Sequence, residues 1–137
     1  MDRLDWREIN WTAVFAGFGV DWAFSELVGL LVTLILLSLK GISVEAEDPL
    51  PMDVALVLQS VGVLGAIVGG SVAGYIARRR GSLHGVLGSL VGLPLSLCLY
   101  SAALDASGLG FIVLNLIGAG YGGKLGERWR ARRQGEG

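Results

Sequence analysis

The chain has 137 residues, 53% of them hydrophobic and only 17% charged, with 22 glycines and a formal net charge of −1. The length fits one domain, the charged fraction is below the ~25% of an ordinary soluble domain, and the mean hydropathy is +0.62. With a single cysteine, Cys98, and a single histidine, His84, an internal disulfide is excluded, and these ligand types form no zinc or iron–sulfur centre within one chain.

Residues 1–10 mix Asp2, Arg3, Asp5, Arg7 and Glu8. A secretory signal would have a basic start, a shorter apolar stretch and a small-residue cleavage site, so the first apolar segment is expected to be retained. This opening reads as an interfacial segment, a short helix lying along the membrane surface.

The first span lies within Trp11–Leu39, 29 residues interrupted only by Asp21 and Glu26. At ~1.5 Å per residue it exceeds one perpendicular crossing by roughly 13 Å. Its placement is therefore open: either end can occupy the hydrocarbon core. Glu26 is intramembrane under both placements, whereas Asp21 is at the inner interface in one and near mid-membrane in the other. A carboxylate at such depth must face protein or water, be protonated, or pair. Glu26, Gly29 and Thr33 share a helical face, with Asp21 about 140° away, so the two acids need separate partners. Gln59, Asn115, Ser71 and Tyr100 are candidate hydrogen-bonding companions from other spans.

A loop from Lys40 to Asp53, with Pro49, Pro51 and four acids, leads to the second span. Val54–Ala77 runs 24 residues without a charged side chain, about 36 Å of helix, enough to cross a ~30 Å hydrocarbon core. A helix apolar on every side is otherwise found only deep inside a much larger protein. The third span, Leu83–Leu104, contains His84 and Pro94, and the missing donor at Pro94 predicts a kink near Leu90. The fourth, about Ala106–Gly123, is the shortest and most Gly-rich; Lys124 snorkels from its end. Residues 124–137 form a basic tail. The expected fold is an all-α integral membrane protein, with four transmembrane helices in a compact glycine-zipper bundle and both termini cytoplasmic.

The zipper expectation comes from spacing. Gly62, Ala66, Gly70 and Gly74 recur every four residues; Gly65, Gly69 and Ala73 form a second stripe beside them. Gly81, Gly85 and Ser89, then Gly88, Gly92 and Ser96, mark span three; Gly118, Gly122 and Gly126 mark span four. Lipid tails solvate Leu as well as another helix does, so association must come from close packing and interhelical hydrogen bonds, which small faces permit. These faces serve packing within the chain or contact with another copy or subunit.

Basic residues set the orientation. Arg3 and Arg7, then Arg78, Arg79 and Arg80, then Lys124, Arg128, Arg130, Arg132 and Arg133 fall on one side of four spans, which is ten of the 11 Lys and Arg residues. Only Lys40 lies opposite. Positive residues mark the cytoplasmic side, and Trp6, Trp11 and Trp129 sit near that boundary. The arginines are expected to contact anionic lipid, each contributing roughly 1 kcal/mol; nucleic acid is not an expected partner. The sequence Ala-Gly-Tyr before a basic cluster occurs twice, at Ala73-Gly74-Tyr75 and Ala119-Gly120-Tyr121, consistent with a parallel duplication or with coincidence.

No catalytic constellation is legible. Cys98 and Tyr100 make no nucleophile–base pair, and Gly69-Gly70 follows no strand and precedes no P-loop Lys-Ser/Thr. His84, just after the arginine cluster, reads either as a pH sensor or as an interfacial hydrogen-bonding group. No catalytic residue, metal or cofactor is expected.

The passage GGSVAGYIARRRGSLHGVLGSLVG, Gly69–Gly92, resembles a family of small uncharacterised prokaryotic membrane proteins with four Gly-rich spans. The matching positions are Gly69, Gly70, Ala73, Gly74, Tyr75, Gly81, His84 and Gly85. The resemblance covers mainly spans two and three; it implies the four-span topology and carries no activity.

The expected function is non-enzymatic: a small membrane protein acting through helix packing, as a homo-oligomer or an accessory subunit of a larger membrane complex. The alternative is a small oligomeric ion or proton channel or transporter using Glu26 and Asp21, with Thr33, Gln59 and Asn115 as further polar candidates.

Overall fold

The structure is a computed structural model that describes residues 8–41, 51–100 and 106–135. The expected interfacial residues before Glu8, including Trp6, lie outside the described residues, as do loop acids Glu45, Glu47 and Asp48, the turn residue Asp105 and the side chains of Cys98 and Tyr100.

The described chain is helical throughout its elements: α1 is Trp11–Lys40, α2 Met52–Ala77, α3 Gly81–Tyr100 and α4 Ala106–Gln134. Three of them, α1, α2 and α4, are long and apolar enough to cross a membrane. The apolar runs are not amphipathic, and as helices they pair their backbone N–H and C=O groups within the segment itself.

Local signals set the ends. Asn10 caps α1 by accepting from the Ala13 N–H at 3.2 Å, a role for which a short polar side chain is suited. Gly41 closes the same helix in the left-handed region at φ 64°, donating to the Leu37 and Ser38 carbonyls. Pro51 immediately precedes α2, and Asp53 occupies its first turn, where a carboxylate complements the positive helix end. An Asp53–Lys40 ion pair joins the start of α2 to the end of α1. Pro94 lies inside α3. Helix α4 continues past Gly123 to Gln134, so the basic segment is the last turns of the same rod.

Register across the helices defines an up-down-up-down order. Gly17 meets Gly69 and Ala73, while Gly65 meets Asp21 and Ser25, so α1 and α2 are antiparallel. Gly81 lies against Gly123 and Gly85 against Ala119, making α3 and α4 antiparallel; Gly70 lies against Ala119 and Gly74 against Gly123, making α2 and α4 parallel. Helix α2 is central and touches the other three, whereas α1 and α4 do not touch among the described residues. The start of α1, the Arg78–Arg80 turn and the last turns of α4 converge at one end of the bundle. The Lys40–Asp53 pair marks the other.

Candidate functional site

Glycine permits four contacts between α2 and α4 to be made by backbone. A methyl group placed on Gly74 would fall 2.6 Å from the carbonyl carbon of Gly123, and one on Gly70 would fall 2.9 Å from that of Ala119. From the opposite side, methyls on Gly122 and Gly126 would meet the carbonyl carbons of Ile67 and Ser71 at 2.9 and 2.8 Å. Gly85 abuts Ala119, a methyl on Gly118 would sit tightly at 3.3 Å from Ile67 Cγ1 and at 3.4 Å from Val63 O, and Ala66 is fully buried. Gly88 faces the α1 backbone at Val14 and Phe18, and Gly92 faces the Phe18 ring. Gly62 differs from the expected stripe: nothing lies within 4 Å of a methyl placed there. It borders the gap left because α1 and α4 do not touch.

Two cavities flank that glycine. One, of about 260 Å³, lies among all four helices and is lined by Asp21, Ser25, Ser89 and Asn115 together with Phe18, Trp22 and Phe111. Asp21 is half-buried, and Ser25 Oγ donates to its Oδ1 at 3.4 Å. The other is a lateral groove of about 400 Å³ between α1 and α2, lined by Glu26, Gly29, Thr33, Leu58 and Gly62. Trp22, Ser25 and Gly62 line both. The two acids thus occupy different faces, as the 140° separation requires. Glu26 lies midway along α1 and is exposed on the flank of the bundle.

The remaining polar groups turn inward on their own helices. Thr33 Oγ1 donates to Gly29 O at 2.8 Å, Ser71 Oγ to Ile67 O at 2.8 Å, and Asn115 Nδ2 to Phe111 O at 2.9 Å. Ser71 and Asn115, expected as companions across helices, bond the carbonyl four residues back on their own helices, an acceptor always within reach there. Gln59 is half-buried on α2 and joins neither cavity.

The basic end is more elaborate. His84 is 3% exposed. Its Nε2 accepts from the Asn10 N–H at 3.0 Å, which places the neutral ring's proton on Nδ1, 3.1 Å from Arg80 O. One buried imidazole therefore ties the residue that caps α1 to the start of α3. Glu8 pairs with Arg80 at 3.3 Å. Glu127 Oε2 accepts from the Gly81 N–H at 2.9 Å, joining α4 to the first residue of α3. Arg130 Nη1 donates to the Tyr75 and Ile76 carbonyls at 3.0 and 3.4 Å, covering the end of α2. Trp129 stands edge-on to Tyr75, with the Arg133 guanidinium 5.2 Å above its ring.

The α2–α3 connection is strained. Arg78 has φ 68° and ψ −37°, and the Arg79 N–H bonds Ala77 O at 2.8 Å, a γ-turn of the rare positive-φ form. Arg80 is also left-handed at φ 53°. Each such non-glycine residue costs of order 1–3 kcal/mol, in a chain that uses glycine freely elsewhere. Arg78, Arg79 and Arg130 line a cavity of about 720 Å³ with Glu127 and Gln134. Arg128 and Arg132 project elsewhere, beside Ser71, Leu125 and Trp129.

Glu127 and Asn10 are the residues that sequence reasoning missed. Glu127 had a visible signal, being the sole acid among the five basic residues from Lys124 to Arg133. Asn10 precedes an apolar run as an N-cap does. Among the described residues no three His, Cys, Asp or Glu side chains gather at metal-binding distance. The chain matches no protein-family model, no curated protein and no solved structure.

Proposed function

We propose that this is a non-enzymatic integral membrane protein of the cell membrane that works through helix packing, as a homo-oligomer or an accessory subunit of a larger membrane complex. In this reading all four helices cross the bilayer. Helix α3, at 20 residues, is about 30 Å long, matching the hydrocarbon core, and runs alongside its neighbours in alternating direction. The arginine-bearing end faces the cytoplasm with both ends of the sequence, and the glycine faces act as the zipper.

The observation that carries the proposal is Glu26. An acid midway along a membrane-spanning helix and exposed on the outer flank of its bundle is costly against acyl chains and belongs against protein. The groove around it is bordered by Gly29 and Gly62, neither of which has any atom within 4 Å of a methyl position, so a further helix can approach closely there. Native mass determination in mild detergent tests this. The expected result is a defined assembly, of copies of this chain or with other chains, that Glu26→Arg reduces to the single chain. A parent protein that runs as a single chain under the mildest extraction overturns it.

A second reading has its own support: the cavity that Asp21 shares with Ser25, Ser89 and Asn115 suits an ion or proton path in a small oligomeric channel or transporter, with Glu26 in the adjoining groove. In liposomes that reading expects cation or proton flux, abolished by Asp21→Asn. Equal flux in the variant and the parent removes it.

A further inference from the structure

We infer that the cavity between the Arg78–Arg80 turn and the last turns of α4 is a binding site for a phosphate monoester, carried on an inner-leaflet lipid headgroup or on a small soluble molecule. The inference goes beyond the packing role proposed above; only its inner-leaflet source rests on the orientation proposed there.

Three guanidinium groups, from Arg78, Arg79 and Arg130, line this cavity against one carboxylate, Glu127. That carboxylate is already engaged by the Gly81 N–H. Arg130 is pinned to the wall by its bonds to the Tyr75 and Ile76 carbonyls and to Gln134 Oε1. Arg78 and Arg79 are exposed and make no side-chain hydrogen bond or ion pair among the described residues. Arg80, by contrast, pairs with Glu8. The site thus holds two unengaged guanidinium groups beside a third that is fixed, and a net charge that matches a phosphate dianion. Planar guanidinium forks bind phosphate oxygens in pairs.

Backbone strain points the same way. A glycine at position 78 would meet the positive φ without steric cost, yet the γ-turn carries an arginine. Strain held at a turn is a reason to look for a role of the side chain it presents. The cavity of about 720 Å³ exceeds what a phosphate group alone fills, leaving room for the group that bears it.

The test uses the full chain. Nanodiscs of phosphatidylcholine with and without phosphatidic acid probe the lipid source by native mass spectrometry; glycerol 3-phosphate and inorganic phosphate in detergent probe the soluble source by calorimetry. Binding is expected in at least one arm, and the arm identifies the source. Arg78→Gly is expected to weaken it about tenfold or more, the loss of one charge-assisted bond, while leaving the melting temperature equal or higher. Arg79→Gln, outside the strained positions, is expected to weaken binding similarly with an unchanged melt. Arg128→Gln and Arg132→Gln are expected to bind as the parent does. No binding in either arm overturns the inference. So does an equal loss from all four variants, which indicates a diffuse basic surface rather than a site.

Discussion

Replacing Gly74 by leucine is expected to destabilise the bundle by about 3 kcal/mol, the upper end of what overpacking costs. The added Cβ alone would lie 2.6 Å from the Gly123 carbonyl carbon and 2.8 Å from its Cα. Those neighbours are backbone, so relief requires moving α4 bodily away from α2. The displacement would also open Gly70 from Ala119, Gly122 from Ile67 and Gly126 from Ser71, since all four contacts lie on the same pair of parallel helices. Gly62→Leu is the matched control within the single chain, with the same chemistry on the same helix but no atom of this chain within 4 Å of the added Cβ; its effect on the assembly proposed at that groove is a separate measurement. This control is expected to change stability by less than about 0.5 kcal/mol. Unfolding of the detergent-solubilised protein, followed by tryptophan fluorescence, measures both; similar midpoints for the two variants would show that the α2–α4 contact does not hold the bundle together.

His84→Leu is expected to cost about 1–2 kcal/mol, because it leaves the part-buried Asn10 N–H without its acceptor, while the Arg80 carbonyl keeps the Leu83 and His84 N–H donors. The loss falls on the junction of α1 with α3, so the first turn of α1 should loosen before the rest. Asn10→Ala removes only the side-chain cap on Ala13 and keeps the N–H that His84 accepts; about 1 kcal/mol is expected for it. Hydrogen exchange at residues 10–14, together with the unfolding midpoint, checks the pair. Exchange in α1 that is unchanged in His84→Leu would remove the imidazole from this junction.

The basic end illustrates how far sequence reading reaches. That the arginine clusters collect on one side follows from the number of apolar runs between them, a count made along the chain. The partition of those arginines does not. Arg78 and Arg79 line a cavity, Arg80 pairs with Glu8, Arg130 covers the end of α2, and Arg133 lies over Trp129. These outcomes depend on which turn of α4 passes the α2–α3 connection, and on two left-handed residues that no spacing rule specifies. The two acids of α1 divide in the same way. The 140° separation of Asp21 and Glu26 is a property of one helix and was visible in advance. Which of them faces its neighbours and which the flank depends on how α1 is rotated about its axis.

The glycine stripes mark the boundary most sharply. Every one of these positions is small in the sequence, and four-residue spacing aligns them along a face. Gly70 and Gly74 touch backbone, whereas Gly62, on the same stripe, opens onto a gap. The sequence by itself determined the helices, their apolar character and the charge asymmetry of their ends, because those properties follow from side-chain transfer energies and from backbone groups that must pair within each segment. Tertiary structure alone decided which small residues meet, which acid is shielded and which arginines remain available, because the direction and rotation of each rod are set by its neighbours and not by its own periodicity.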